Sequence, residues 1–318
     1  MRLRDPRTLL LLALYALPIV VATTRWHTGR ALLLVLLVAI AGLALRLAAT
    51  LRSVRRAEPL LRLHTITFSH YVEKVRWSLD RLGVAYEEVP NVGIAGVLLT
   101  GRTVPWLEVS PGEVRIGESS RILRYLWGEF AARVPAERAW FLEPTPAALE
   151  LEAQLDRRLG NDVRVWVYSH VLRDRALTLR TWGFEERSIP RWQRALLFVA
   201  TPLLAFAVRR MLGVTRARAE RALERTRETF DHVDRMLADG RRFLLGESLT
   251  FADITFASLG ALAVLPAEYP GGRLTGRRVR LDDVRSEAWR REIERFRSRP
   301  SGQFILRLYR EERAAPPG

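Results

Sequence analysis

Residues 61–126 contain a strand-like segment, a helix-like segment and a second strand-like segment in close succession. The first, LRLHTITF at 61–68, is rich in β-branched residues toward its end, which is typical of a short buried parallel strand. Apolar residues at helical spacing follow between Val72 and Leu82, and Gly83 stands where a helix usually ends. The second strand-like segment, VAYEEV, begins directly after this glycine. The order predicts a strand–turn–helix–strand unit whose helix buries one side.

Ser69 lies at the turn between the first strand and the helix, where an N-cap residue belongs. A small polar residue at such a turn is next to free backbone N–H groups and the positive end of the helix dipole, so the turn is a natural anion site. A plain helix cap is the alternative interpretation of Ser69. Tyr71 provides a second candidate hydroxyl close by.

Two further motifs follow in the same block, TVPWL at 103–107 and ESSRI at 118–122. With the Ser69 turn before them, these motifs resemble the glutathione-binding half of a glutathione S-transferase. In that family a hydroxyl at the turn holds the sulfur of glutathione as a thiolate. The resemblance therefore assigns catalysis to Ser69 or Tyr71, with glutathione as the co-substrate.

The resemblance also implies roles for the two later motifs. Val104 precedes Pro105, and in the family this proline is cis and the residue before it offers its backbone to the cysteinyl unit of the peptide. Glu118 and Ser119 suit the γ-glutamyl carboxylate and amine. The residues alone leave two other interpretations open, an ordinary proline at a strand entrance and a capped first turn of a helix.

The chain departs from the family pattern in two places. Family members with glutaredoxin-like activity have a cysteine pair where this chain has Ser69 and Val72, and the chain has no cysteine at all, which disfavours disulfide reduction. Only residues 90–101 separate the second strand from the Val-Pro turn, where the family usually has a longer segment that contacts the glycine end of glutathione. In this chain Arg102 is the cationic residue that could contact the carboxylate at the glycine end of glutathione. The expected ligand is therefore glutathione or a related thiol.

The rest of the chain is predicted to be helical. The resemblance divides it into a thioredoxin-like thiol-binding domain at 58–130 and an all-helical domain at 140–318. Thr250 and Asp253 form a Thr-x-x-Asp capping box at the start of a buried helix. In the family this element is a folding determinant, so its expected role is structural.

Two helical segments leave alternatives open. Residues 156–171 carry Trp166, Tyr168 and His170, which either border a pocket for a hydrophobic co-substrate or pack against the first domain. Residues 195–208 are apolar and contain a proline. They are too short to span a bilayer and form either a kinked core helix or a membrane-facing patch.

The N-terminal segment, 1–57, contains two apolar runs at 8–24 and 31–50, joined by a six-residue polar link. Each run is close to the shortest helix that spans a bilayer, so together they predict a transmembrane helical hairpin. A signal peptide followed by an anchor, and a pair of soluble or monotopic helices, are the alternatives. The positive-inside rule places both ends of the hairpin, and the domains after it, in the cytoplasm. The arginines that flank the pair are Arg2, Arg4, Arg7, Arg52, Arg55 and Arg56.

The net charge of +16 would suit a nucleic-acid partner, but the arginines are spread along the chain with acidic residues between them. This pattern is typical of solvated helix faces, so no nucleic-acid partner is expected. If a basic face binds a partner, anionic lipid is favoured over nucleic acid. The histidines share no ligand spacing with acidic neighbours, so no metal site is predicted. Four of the five histidines are considered as ligands: His64, His70, His170 and His232.

The sequence is thus interpreted as an α/β thioredoxin-like domain and an all-α domain behind a membrane hairpin. The expected function is conjugation of glutathione or a related thiol to hydrophobic electrophiles at the cell membrane. Members of the family commonly dimerise, so the resemblance suggests a homodimer. The rival hypothesis is a non-catalytic module that uses the same fold for binding or assembly, which the short segment after Pro90 and the lack of cysteine favour.

Overall fold

A four-stranded sheet opens the part of the chain that the computed structural model describes. That part comprises residues 61–90, 104–109, 114–187, 189, 191–271 and 278–313. The strands are β1 (Leu61–Thr65), β2 (Glu87–Pro90), β3 (Trp106–Val109) and β4 (Val114–Gly117). They lie in the order β2-β1-β3-β4, with β1 parallel to β2 and the other two pairs antiparallel. The prediction of a short buried parallel strand near residue 61 is confirmed.

Helix α1 (His70–Leu82) follows β1 and has the predicted ends. Ser69 is its N-cap, and Oγ of Ser69 accepts a hydrogen bond from the backbone N–H of Val72. Gly83 ends the helix with φ of 68°, a left-handed conformation that glycine adopts without steric cost. The predicted apolar side of the helix is fully buried. It consists of Val72, Val75, Trp77, Leu79 and Leu82.

Helix α2 (Ser119–Phe130) packs against α1 on one side of the sheet. Leu61 and Leu63 of β1 alternate inward with Leu107 of β3, and all three belong to the same apolar core as the inner faces of the two helices. Burial of these side chains is the main favourable term that holds the helices on the sheet. The arrangement is the thioredoxin-like half that the sequence predicts.

The second half is helical, as predicted. Its segments are α3 (Ala136–Ala139), α4 (Pro146–Leu155), α5 (Asn161–Val171), α6 (Arg175–Thr181), α7 (Arg191–Met211), α8 (Arg216–Met236), α9 (Phe251–Val264), α10 (Glu287–Ser298) and α11 (Pro300–Leu308). A wider π-helical turn, Asp156–Gly160, joins α4 to α5 without a break, and a similar turn, Tyr309–Arg313, follows α11.

Helix α9 is at the centre of the helical half, and every one of its residues is buried. It packs against α1 of the first half as well as against α4, α10 and α11. The predicted capping box at its start is confirmed, because Oδ2 of Asp253 accepts from both the backbone N–H and the hydroxyl of Thr250, each at 2.8 Å. The other oxygen, Oδ1, accepts from the backbone N–H of Leu244 at 2.7 Å, which also fixes the preceding turn.

Helix α7 continues through Pro202, which the sequence predicted as a kink in a core helix or a membrane-facing segment. Proline has no N–H, so the carbonyl of Phe198, four residues earlier, loses its helical donor. The guanidinium of Arg175 donates to that carbonyl at 2.9 Å and stands 4.4 Å from the centre of the Phe198 ring. A side chain from α6 thus replaces the missing backbone hydrogen bond.

The predicted hairpin at 1–57, with its runs 8–24 and 31–50, lies outside the described residues. Within the described ranges, no helix by itself has the length and apolar character needed to cross a bilayer. Gln193–Met211 and Arg216–Met236, bent by 66° where they meet, satisfy that test only as a pair.

Candidate functional site

The register of the sheet brings the three predicted motifs to one end of it. Strand β1 leads directly toward Ser69, and His64 near its end is paired with Trp106 of β3. Val104 and Pro105, which precede Trp106, therefore lie beside the carboxyl end of β1. Trp106 is also paired with Gly117 of β4, so Glu118 and Ser119 follow at the same end. The order of the strands gathers residues that are up to fifty positions apart in the sequence.

Ser69 has the environment that an anion-binding hydroxyl needs. Its Oγ accepts from the N–H of Val72 at 3.4 Å, and its carbonyl accepts from the N–H of Glu73 at 2.9 Å. Among the residues that the structure describes, none accepts a hydrogen bond from the hydroxyl of Ser69. Because a hydroxyl both accepts and donates, capping the helix leaves its proton free to bind an anion.

The Val104–Pro105 peptide bond is cis, as the resemblance implies. Pro105 is buried and Val104 is half-buried, next to the strand pairs of β1 and β3. The Val104 backbone therefore lies beside the carboxyl end of β1.

Glu118, the N-cap of α2, has φ of 67° and ψ of 129°. A residue with a Cβ atom is strained at positive φ, and such strain occurs preferentially at ligand-binding sites. The Glu118 side chain is exposed and caps nothing, while Ser119 is buried at the first turn of the helix. Among the described residues no side chain pairs with the carboxylate of Glu118, which can therefore receive an amine, while the N-terminus of α2 can receive a carboxylate.

Tyr71, the other candidate hydroxyl, is occupied by the helical half. Its Oη lies 3.5 Å from the carbonyl of Asp156, and Gly160 is close enough that an added Cβ would stand 2.0 Å from it. Burial raises the pKa of the phenol to about 12, and Asp156 adds to the effect, so the group is neutral near pH 7. Of the two candidates, the geometry favours Ser69.

Lys74 is a site residue that sequence reasoning did not identify. It is fully buried, and its Nζ lies 2.7 Å from a carboxylate oxygen of Glu152 and 3.1 Å from one of Asp156. It also lies 3.3 Å from Oγ of Ser120, which donates to Asp156 at 2.7 Å. This cluster fixes the N-terminus of α2, and with it Glu118 and Ser119, against α4 and the π-helical turn. Lys74 is the only lysine in an arginine-rich chain, which was the one available signal.

A cavity of about 410 Å³ lies beside this cluster, between α2 and α4. Ser120, Glu152 and Asp156 form part of its wall, and Arg121, Arg124, Arg157, Leu149 and Ala153 complete it. Ser69, Val104 and Glu118 are not in the wall. The cavity is next to the candidate site rather than inside it.

The remaining candidates are placed as follows. Arg102, expected at the glycine end of the ligand, lies outside the described residues, as does the segment 91–101. Trp166 is buried, and His170 stacks on Trp289 with ring centres 5.0 Å apart. Burial lowers the pKa of His170 to about 4, so its ring is neutral near pH 7. The rings of Trp166 and His170 thus pack against Phe296 and Trp289 of α10, within the helical half and not against the first domain.

Comparison with known proteins agrees with this architecture. The family model described as "Glutathione S-transferase, N-terminal domain" matches residues 63–134, and that described as "Glutathione S-transferase, C-terminal domain" matches residues 216–291. No curated protein sequence matches the chain.

Solved glutathione S-transferases resemble the structure. One from Ceriporiopsis subvermispora, in complex with glutathione, aligns with 81% of this chain and 98% of its own, at 16% identity and a TM-score of 0.50. One from Methylobacterium radiotolerans, in complex with glutathione sulfonate, aligns with 77% of this chain and 94% of its own, at 18% identity and a TM-score of 0.44.

The sheet has the order β2-β1-β3-β4, and a helical bundle around one buried helix follows it. This is the architecture of the two-domain thioredoxin-like class. Over residues 63–134 and 216–291 the chain matches the two domains of the glutathione S-transferase family, so it is glutathione S-transferase-like.

Proposed function

We propose that the chain is a glutathione transferase-type enzyme that binds glutathione or a related thiol at Ser69 and conjugates it to hydrophobic electrophiles. One observation carries the proposal: the Ser69 hydroxyl stands at the start of α1, at the same end of the sheet as Val104 and Glu118, and none of the described residues accepts its proton. The fold shared with a transferase solved in complex with glutathione supports it.

The proposed chemistry needs only a stabilised thiolate. A free thiol has a pKa of about 8.5, and a hydroxyl donor at a helix N-terminus lowers it toward neutrality. The thiol proton passes to solvent, and the sulfur lone pair forms the new S–C bond while the leaving group departs with its electrons. Holding thiolate and electrophile together supplies the rest of the acceleration.

The ends of the peptide would be held by separate groups. The backbone of Val104 pairs with the cysteinyl unit, the carboxylate of Glu118 receives the γ-glutamyl amine, and the N-terminus of α2 at Ser119 receives its carboxylate. Arg102 is proposed for the carboxylate at the glycine end. The Lys74 cluster keeps the Glu118 turn in place for this role.

The proposed location is the cell membrane. The apolar runs 8–24 and 31–50 support a hairpin anchor, and the arginines that flank them support a cytoplasmic site for the following domains. Reporter fusions at Thr28 and at the C-terminus test the topology. A reporter signal from outside the cytoplasm at the C-terminus would reject the hairpin arrangement.

Ser69→Ala tests the catalytic role. The substitution removes one charge-assisted hydrogen bond to the thiolate, worth roughly 1.5–3 kcal/mol. Its loss should raise the pKa of the thiol of bound glutathione by about one to two units. Conjugation of a generic electrophile at neutral pH should fall about tenfold or more, with a smaller change in glutathione affinity. Thiolate absorbance in the ultraviolet, titrated with saturating glutathione, measures the pKa without interference because the chain has no cysteine.

Ser286→Ala is the matched control. Ser286 caps α10 through the N–H of Trp289 at 3.3 Å, so its loss reproduces the capping cost, about 1 kcal/mol, away from the site. The control should retain the wild-type thiol pKa. If the wild-type protein binds no thiol, or binds it without forming thiolate at neutral pH, Ser69 is a cap and the non-catalytic binding module becomes the better function.

A further inference from the structure

Helix α7 has an exposed apolar face. Residues 195–208 contain no charged side chain, and the exposed members of the helix lie on one side of it. Their side chains are between 45% and 76% exposed, which is unusual for so many large apolar groups on one helix. This set, here called the α7 apolar face, consists of Leu196, Phe198, Val199, Leu203, Phe206 and Met211.

The opposite side of α7 is anchored in the protein. Leu197 and Val208 are buried in a small core, separate from the main one, that also includes Leu179, Trp182 and Ile189. The hydroxyl of Thr201, on the buried side, donates to the carbonyl of Leu197 at 2.5 Å, so this hydroxyl is satisfied within the helix. The α7 apolar face therefore points away from a fixed helix.

Arginines stand at both ends of the α7 apolar face. Arg191 and Arg210 are exposed and Arg209 is half-buried. Within the described ranges, none of the three has a carboxylate partner. An apolar strip about 22 Å long, at 1.5 Å per residue, with unpaired cations at each end matches the interface of an anionic bilayer. Its apolar side chains would enter the acyl boundary while the arginines stay with the headgroups.

The position of α7 in the chain separates it from the matched family domains. The two family models cover 63–134 and 216–291, so the whole of Arg191–Met211 falls between them. The α7 apolar face is thus a feature of this chain that lies outside the elements its family match accounts for.

We propose that the α7 apolar face lies in the headgroup region of an anionic lipid bilayer. Charge argues against a second copy of the chain as the occupant. Residues 195–208 offer no carboxylate, so two α7 helices packed face to face would bring arginines of one against arginines of the other or leave them unpaired. The proposal does not depend on glutathione binding or on the N-terminal hairpin.

The absence of cysteine allows a direct test. Val199→Cys in the full chain carries one nitroxide spin label, and the protein is reconstituted into vesicles of phosphatidylcholine with or without 30 mol% (about one third) phosphatidylglycerol. The label should show high collision rates with oxygen and low rates with a water-soluble nickel chelate in the anionic vesicles. Ala238→Cys, an exposed small residue beyond α8, is the control and should remain accessible to nickel.

Three outcomes overturn the proposal. The first is a label at Val199 that remains accessible to nickel in anionic vesicles. The second is label–label broadening that disappears on dilution with unlabelled chain, which would identify a second copy. The third is a label shielded from both reagents in detergent without lipid, which would show that residues of the same chain cover the face.

A second pair of variants separates the apolar and the electrostatic contributions. Leu203→Glu should expose the Val199 label to nickel, and circular dichroism should show an intact fold because Leu203 is exposed. Arg209→Gln with Arg210→Gln should lower the ratio of docked to undocked α7 in anionic vesicles by about fivefold per arginine. If the double variant and the wild type docked α7 to the same extent in each of the two vesicle types, the proposed contribution of the arginines to lipid binding would be contradicted.

Discussion

At the scale of single residues, Gly160 leaves room for the hydroxyl of Tyr71. Its backbone is helical, so alanine would ordinarily be preferred there. An added Cβ would stand 2.0 Å from Oη of Tyr71, however, so either the Tyr71 side chain or one of the two helices must shift. The glycine thus reports a close approach between the two halves of the fold.

Gly160→Ala should destabilise the protein by about 1–3 kcal/mol, because overpacking outweighs the gain in helix propensity. Urea unfolding followed by circular dichroism measures the change. Gly128→Ala in α2 is the control: nothing lies within 4 Å of its added Cβ, so it should stabilise by about 0.5–1 kcal/mol.

Tyr71→Leu in the Gly160→Ala background should recover part of the loss, since the side chain that clashes is removed. Additive effects of the two substitutions would show that Tyr71 does not occupy this space.

At the scale of elements, Asp253 joins the start of α9 to the turn before it. Burial raises the pKa of its carboxyl to about 6, while hydrogen bonds from Leu244 and Thr250 lower it, so the group is ionised near pH 7. It then accepts all three of its hydrogen bonds, from two backbone N–H groups and one hydroxyl.

Asp253→Ala should lower the free energy of unfolding by about 2–4 kcal/mol. Loss of a cap costs about 1 kcal/mol, and the buried N–H of Leu244 left without an acceptor adds about 1–3 kcal/mol. Ser286→Ala, which removes a cap alone, should cost only the first part. Equal losses in the two variants would show that the Leu244 bond contributes nothing.

Arg175 and Pro202 provide a second prediction for an element. Arg175→Ala should destabilise α7 by roughly 1 kcal/mol, because the exposed carbonyl of Phe198 then loses its protein donor and has only water. In the Pro202→Ala background the backbone N–H returns, and the same Arg175 substitution should cost less. A double-mutant cycle in thermal unfolding measures the difference, and a coupling of zero would refute the replacement.

The elements that the sequence predicted correctly are those with local signals. Ser69, Gly83 and the Thr250–Asp253 pair act within a few residues, so their patterns are visible in the chain itself. For helix α7 the sequence is compatible with a kinked core helix and with a membrane-facing patch, and the structure shows one buried side and one exposed side. The exposure of each side of α7 depends on the other elements that pack around it. The hydrophobic periodicity of residues 195–208 carries no information about those elements.

At the scale of the whole molecule, a buried carboxylate connects the first helix to the end of the chain. Glu73 is fully buried. Its carboxylate oxygens lie 2.7 Å from Nη1 of Arg76 and 2.9 Å from Nε of Arg313, and one accepts from the backbone N–H of Gly271 at 3.0 Å. Burial acts to raise the pKa of Glu73, but Arg313 and Arg76 outweigh it and hold the pKa below 4.5. Nothing local predicts this network, because Glu73 and Arg313 are 240 positions apart.

Because the pKa of Glu73 is lower in the folded chain, its contribution to stability is present above about pH 4.5 and is lost as the pH falls below that value. Glu73→Gln should cost about 3 kcal/mol at pH 7, since Arg76 and Arg313 lose one buried partner each. Arg76 keeps Glu88 and Arg313 keeps Asp80, which limits the cost. The difference from wild type should narrow as the pH approaches 3. Urea unfolding at several pH values measures it.

Glu150→Gln, an exposed change on α4, is the control and should leave the unfolding profile at every pH within about 0.5 kcal/mol of wild type. A constant difference between Glu73→Gln and wild type from pH 7 to pH 3 would contradict the assigned pKa shift.

The Glu73 network also links folding of the first half to synthesis of the second. The ribosome produces the sheet, α1 and α2 long before Gly271 and Arg313, so the nascent first half carries Glu73 without two of its three donors. A carboxylate without these donors is costly to bury, so α1 is expected to close against its neighbours only after residues 198 and 240 positions further along have been made.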